Sequence, residues 1–301
     1  MRLLVALALT ACAAASSGCM LKKMALNTVA STLAETGSTF TSDEDLILVG
    51  DAIPFGLKFY EAILESTPRH QDLLTTTCSS FTQYAYAYVE TDAEALPAIR
   101  RTEIETLRNR ALKLYLRARG YCFRALNVRF GERTSEQLLQ NPDMVVARAK
   151  REDVPLLYWT AASWGAAISL GIDQPDLAID LPTVRVLADR AIALDEKWED
   201  GTLHELFVTL DSLPEVLGGN PARAKEHFAK AVEMQKGLSP GPYVALASLA
   251  VANQDRAEFE RLLKLALEID ADKNPPDRLV TLVMQKRARL MLDRADEKFL
   301  K

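Results

Sequence analysis

Pro221-Ala222-Arg223-Ala224-Lys225-Glu226-His227-Phe228, running on to Ala231, is the stretch whose reading sets the fold class. Asn220 stands before it as a cap residue, and proline suits the first turn of a helix because its missing N–H has no partner there anyway. Ala224, Phe228 and Ala231 fall at i, i+4 and i+7, so they share one helical face. Two small side chains on that face let a neighbouring helix come close, and the aromatic ring fills the gap between them.

The same spacing returns along the chain. Phe259, Leu263 and Ala266 show it 35 residues later, and Val184, Ala188 and Ala191 show it 40 residues earlier. Ala111, Tyr115 and Ala118 lie a further 73 residues back, about two repeats, and Phe55, Phe59 and Ala62 are expected to form another such face. This is the pattern of the second helix in a tetratricopeptide hairpin, whose repeat is about 34 residues. The spacing loosens toward the N-terminus. The expectation is therefore an all-α fold, a degenerate tetratricopeptide-like helix-hairpin array, either an α-solenoid or a closed helical bundle.

Punctuation supports helices throughout. Gly37-Ser38-Thr39 and Pro68 break segments, and Gly218-Gly219 can end one helix just before Asn220-Pro221 starts another. Asn141-Pro142 repeats the cap-then-proline signal, and Thr134-Ser135-Glu136-Gln137 reads as a capping box. Asp43, Glu44 and Asp45 sit beside a helix start, where they offset the positive end of the helix dipole; nothing apolar around them marks a catalytic pair.

Hydrophobic residues make up 49% of the 301, which places the chain among globular proteins, and its net charge of -5 argues against nucleic-acid binding. The three histidines, His70, His204 and His227, have no partner at metal-ligand spacing, so no metal or cofactor is expected. Phosphate-loop, nucleophile-elbow and zinc-protease motifs are missing, and an enzyme is not expected.

The N-terminus reads as a lipoprotein signal. Arg2 precedes an apolar run from Leu3 to Ala15 that is interrupted only by Thr10 and is too short to span a bilayer. Gly18-Cys19 gives a signal of ordinary length, residues 1–18, although Ser16 is a poor lipobox residue; Leu9-Thr10-Ala11-Cys12 is the alternative. Cys19, or else Cys12, would carry the palmitate-type acyl chains that anchor the protein in the periplasm, and Met20 after Cys19 favours the outer membrane. Residues 19–301 are expected to form one domain. Cys78 and Cys122 remain; the compartment permits a disulfide, but both look like helix-face residues and are expected to be buried free thiols.

Three places carry chemistry that could meet a ligand. In Phe81-Thr82-Gln83-Tyr84-Ala85-Tyr86-Ala87-Tyr88, Phe81, Tyr84 and Tyr88 share a face, while Gln83 and Tyr86 point elsewhere and offer an amide and a phenol. Trp159 and Trp164 are five residues apart among small residues, so their rings project from different sides. Residues 106–131 contain no acid, and Arg110, Arg117 and Arg124 recur every seven residues; they can grip a carboxylate or pair with acids of other helices. Gln83, Tyr86, Arg117, Arg124, Trp159 and Trp164 are the candidate ligand residues.

Over essentially its whole length the chain resembles the T-component (TatT) lipoproteins of tripartite ATP-independent periplasmic (TRAP) transporters. The resemblance rests on Gly18-Cys19 with Leu21-Lys22-Lys23 and Asn27, and on Gly37 through Asp45. It continues in Asp51-Ala52-Ile53-Pro54-Phe55, Pro68-Arg69-His70, the Phe81–Tyr88 segment, and Pro155 to Ser169 with both tryptophans. It implies tetratricopeptide-like hairpins, a cavity or pore in each subunit, and an assembly that can be a homotrimer. It also implies partnership with the periplasmic solute-binding P-component and a small hydrophobic or carboxylated ligand. The family offers no ligand motif to carry over. A scaffold lipoprotein for envelope assembly is the rival reading, since helical arrays also hold peptide segments.

Overall fold

A computed structural model describes residues 38–299. The signal segment, Cys12 and Cys19 lie outside the described residues. Among the described residues there is no β-strand. The helices of ten or more residues are α1 (Leu46–Ser66), α2 (Gln71–Tyr84), α3 (Arg101–Phe130), α4 (Val154–Leu170) and α5 (Leu181–Leu194). They continue as α6 (Thr202–Asp211), α7 (Pro221–Met234), α8 (Gly241–Ala252), α9 (Arg256–Glu268) and α10 (Arg278–Asp293). No helix among the described residues is long and apolar enough to cross a membrane.

Most sequence signals act locally as expected. Asp45 caps α1 by accepting from the Ile47 and Leu48 amides at 2.9 and 3.0 Å, and Asn220 caps α7 through Ala222 and Arg223. Asn141 accepts from the Met144 amide. Between α6 and α7, Gly218 takes φ 86°, and a Cβ on Gly219 would overlap the Leu213 carbonyl, so glycine alone fits this turn. The capping box at Thr134 does not form. Thr134 Oγ1 donates back to the Gly131 carbonyl at 2.6 Å, and Asn127 Oδ1, reaching from α3, accepts the Ser135 amide at 2.9 Å. The nearer partner, one helix away, satisfies the open donor.

Successive helices pack as antiparallel neighbours: α2 on α3, α4 on α5, α6 on α7 and α8 on α9. Ala111, Tyr115, Ala118, Val184, Ala188, Ala191, Ala224, Ala231, Phe259, Leu263 and Ala266 are all fully buried at these contacts. Phe228 is half-buried and meets Tyr243 edge to face at 5.3 Å. Each large apolar side chain so buried contributes about 1.5–3 kcal/mol.

The fifth expected face is different. Phe55 is 76% exposed and Phe59 42%, and Ala62 is exposed as well. Helix α1 lies on the outside of the array and turns Leu57, Glu61 and Leu64 inward, so the aromatic triplet faces out. The cysteines also differ from expectation. Cys78 of α2 and Cys122 of α3 form a disulfide with Cα atoms 5.5 Å apart. Close packing of these two helices, with Ala118 and Ala125 of α3 fully buried, brings the thiols into bonding range, which positions on separate helices do not reveal.

The array closes on itself. Helix α10 packs on α9 and then returns to α1 and to the short helix Thr91–Ala95 that follows α2. Arg294 extends the closure by donating to the carbonyls of Glu94 and Leu96 at 2.9 and 3.3 Å. Of the two architectures expected, the closed one forms.

Candidate functional site

Closure brings several polar and aromatic side chains together between the helices. Tyr86, Tyr158 and Glu205 are half-buried, and burial raises the pKa of each.

Tyr86 lies in Ala85–Glu90, a π-helical turn that widens α2 by one residue. The wide turn frees the Tyr86 carbonyl, which accepts from Thr91 Oγ1 at 3.0 Å and from Arg287 Nη1 at 3.1 Å. Arg287, on α10, stacks over the Tyr86 ring and donates to Glu94 at 2.7 Å and Glu90 at 3.2 Å. Tyr115 donates its hydroxyl to the other oxygen of Glu90 at 2.7 Å. Burial alone would depress the Arg287 pKa, but Tyr86, Glu94 and Glu90 around it raise it, so the guanidinium stays charged. Burial pushes the Tyr86 hydroxyl up to about 12 and raises Glu94 despite Arg287.

Tyr158 stands on α4, its ring 4.9 Å from Trp159 and 4.8 Å from Trp198. Burial raises its hydroxyl strongly, with Glu205, Glu199 and Tyr86 adding in that order. These four groups are therefore within electrostatic reach of one another. The Tyr158 hydroxyl makes no hydrogen bond to a described residue. Trp198 opens a turn in which Glu199, Asp200 and Gly201 all have positive φ, 43°, 51° and 86°. Two successive non-glycine residues in that region cost about 1–3 kcal/mol each. The turn feeds directly into α6.

Glu205 follows one helical turn later. Its carboxylate occupies the place where a side chain at Gly241 would stand, against the start of α8. Burial raises its pKa to about 7, offset in part by a hydrogen bond with Gln235. Burial also raises Glu199, with Asp277 and Asp200 adding to the effect.

The sequence candidates separate into two groups. Tyr86 lies under the Arg287 guanidinium, and Trp159 packs edge-on against Tyr158. Trp164 is fully buried, 5.1 Å from Phe123, with the Arg119 guanidinium 5.2 Å from its ring. Gln83 is exposed on α2. Arg117 and Arg124 are exposed on α3: Arg117 pairs with Glu61 and sits over Phe81, and Arg124 sits over Tyr121 and donates to the Pro68 carbonyl at 3.3 Å. Arg110 continues this row over Tyr84. Among the described residues, no group of three or more His, Cys, Asp or Glu side chains is placed to hold a metal ion.

A profile of the TRAP transporter T-components matches residues 42–299 of this chain. The chain belongs to the TRAP transporter T-component family. A T-component is an accessory subunit of a TRAP transporter, which places this one in the periplasm or at its membrane. The chain is also 28% identical to an uncharacterized protein of Treponema pallidum (strain Nichols), over 94% of each. The T-component's half-buried or buried Tyr158, Trp198, Glu205 and Arg287 were not among the sequence candidates. Glu205 had a readable signal, an acid inside Leu203-His204-Glu205-Leu206-Phe207, a stretch with little other polarity. Arg287 had none, because its partners lie about 200 residues away.

Proposed function

We propose that this protein is a lipid-anchored periplasmic T-component that binds the solute-binding P-component of a TRAP uptake system and takes a small ligand into its internal space. The observation that carries the reading is the closed helical ring, with deep, half-covered side chains of Tyr86, Tyr158 and Glu205, in a chain of this family. A closed space lined by rings and a few polar groups is the usual form of a small-molecule site. Acylation at Cys19, or at Cys12, holds the protein at the membrane, and a homotrimer is compatible with the role.

The test is affinity capture of the acylated, tagged protein from membranes of its own cells solubilised in mild detergent, followed by mass spectrometry of captured proteins and extracted small molecules. Recovery of a TRAP solute-binding protein supports the reading. Recovery of envelope-assembly proteins without any TRAP component overturns it in favour of a scaffold.

A further inference from the structure

Helix α1 presents an apolar stripe that no other element among the described residues covers. Leu48, Ala52, Phe55, Phe59 and Ala62 follow one another at steps of four and three, so they share one outward face. Leu48 is 60% exposed and Phe55 76%, and Ile47 stands exposed beside the first turn. The Phe55 and Phe59 rings stack on each other in solvent, 6.2 Å apart. Among the other long helices of the described residues, only α10 exposes a large apolar side chain, Val280. Single exposed apolar residues are ordinary on a protein surface, whereas a continuous stripe along one helix marks a contact surface.

Cations line one flank of the stripe. Arg117 of α3 donates to Glu61 of α1 at 2.6 Å, and Arg124 donates to the Pro68 carbonyl just past the end of α1 at 3.3 Å. These contacts set the arginine row of α3 alongside α1. Each guanidinium lies over a ring: Arg110 over Tyr84 at 5.9 Å, Arg117 over Phe81 at 5.1 Å and Arg124 over Tyr121 at 5.2 Å. Among the described residues Arg110 and Arg124 bond a hydroxyl and a carbonyl and no carboxylate, so their forks remain open to phosphate oxygens. Asp51, Lys58 and Glu65 are exposed along the edge of α1 between the stripe and Glu61. A lipid headgroup layer suits this pattern. It takes apolar side chains to the acyl boundary, offers phosphates to arginines and offers ammonium groups to acids.

The course of the chain favours the same occupant. The expected acylation site, Cys19, stands 38 - 19 = 19 positions before Ser38, and α1 is the first long helix to follow. A tether of that length reaches at most about 65 Å. It keeps the stripe within range of the bilayer, so a contact too weak to hold a free protein becomes effective. A stable protein interface takes about 20–30 residues a side, and the stripe is one helix wide.

We propose that α1 lies along the membrane surface, with Leu48, Phe55 and Phe59 at the boundary between headgroups and acyl chains and with Arg110, Arg117 and Arg124 on lipid phosphates. The proposal rests on the reading that acylation holds the protein at a membrane. The helical array then stands on its first long helix, at a fixed orientation to the bilayer.

The experiment places the acylated full-length protein on vesicles of phosphatidylethanolamine and phosphatidylglycerol whose acyl chains carry bromine, a contact quencher of tryptophan. Phe59→Trp puts a reporter in the stripe. Val216→Trp puts one in the turn before α7, where Val216 is 89% exposed. Flotation shows whether the protein is attached. Bromine should quench the added emission of Phe59→Trp and leave that of Val216→Trp. In the Phe59→Trp background, Arg110→Gln and Arg124→Gln should each weaken the contact about fivefold. If the protein floats and Phe59→Trp stays unquenched, α1 faces away from the bilayer and the inference is wrong, while the anchor reading survives. Equal quenching of both reporters overturns it as well, since no one face then meets lipid. Unquenched emission that moves to the blue as protein concentration rises puts a second copy on the stripe and also overturns it. If no protein floats, the anchor reading falls and this one with it.

Discussion

The guanidinium of Arg287 lies 4.0 Å from the centre of the Tyr86 ring, and 201 residues of chain separate the two. This contact joins the last long helix to the end of the second and so fastens the ring. Replacing Arg287 with Met leaves the half-buried Glu90 and Glu94 together without the buried guanidinium that pairs with both. The expected loss is about 3–5 kcal/mol, the usual cost of removing one partner from a buried ionic group. Urea unfolding of R287M measures it, and adding E90Q and E94Q should restore part of the loss. A midpoint unchanged in R287M would show that the closure is held elsewhere.

The Cys78–Cys122 bridge spans 44 residues and links α2 to α3. Loop-closure entropy gives about 4 kcal/mol for a loop of that length. The double substitution Cys78→Ala, Cys122→Ala should lower the urea midpoint by a comparable amount. Adding reductant should do the same to the unaltered protein and leave the double variant where it was.

His204 and His227 put their Nδ1 atoms 2.7 Å apart between α6 and α7. Glu196 faces His204 at 3.2 Å and binds Lys230, while Asp211, held by Arg185 and Arg223, lies 4.0 Å from His227. Burial lowers both histidine pKa values; His227 lowers His204 further, and Asp211 acts against the shift at His227. Their folded pKa values thus lie below the unfolded value of about 6.5. Above that pH both states are neutral and the contribution is complete; as pH falls below it, the unfolded chain takes up protons that the fold refuses, and stability drops. Glu205 has the opposite sign: its raised pKa favours the fold below about 4.5, an advantage lost as pH rises through about 7. Thermal midpoints between pH 5 and 8 should therefore fall less steeply on the acid side in His227→Gln. In Glu205→Gln they should gain most at pH 8. Identical profiles for all three proteins would refute both assignments.

Phe55 and Phe259 fit the same sequence pattern and have opposite fates, one 76% exposed and one fully buried. Phe55→Ser is expected to change stability by less than about 0.5 kcal/mol, whereas Phe259→Ala should cost about 3–5 kcal/mol. Paired denaturation curves settle it, and equal losses would contradict the placement of α1.

That contrast shows what the sequence can disclose. The spacing of Ala224, Phe228 and Ala231 identified a helix face because both neighbours of α7 are present in every hairpin of this kind. At Phe55 the same spacing meets no outer neighbour among the described residues, and periodicity carries no information about what a face meets. The disulfide and the Arg287 cluster depend on which helices become adjacent when the ring closes, a fact spread over the whole chain. Tyr86 and Trp159 were legible because aromatic residues among alanines are conspicuous. Tyr158, beside Trp159, carries no signal of its own in the sequence, because the ring that meets it, Trp198, comes from 40 residues away. Family membership was readable from local motifs, since those survive without any knowledge of closure.

The widened turn at Ala85–Glu90 has one more consequence. An inserted residue in a helix is a phase shift: everything beyond it is rotated by about 100° relative to a regular helix. Ahead of the turn, the chain keeps the register that buries Phe81 and Tyr84; at its end Glu90, and beyond it Thr91 and Glu94, come round to meet α10. Deleting Ala87 would leave almost every residue in place by composition and put the two halves out of step, so that the ring could no longer find its own end.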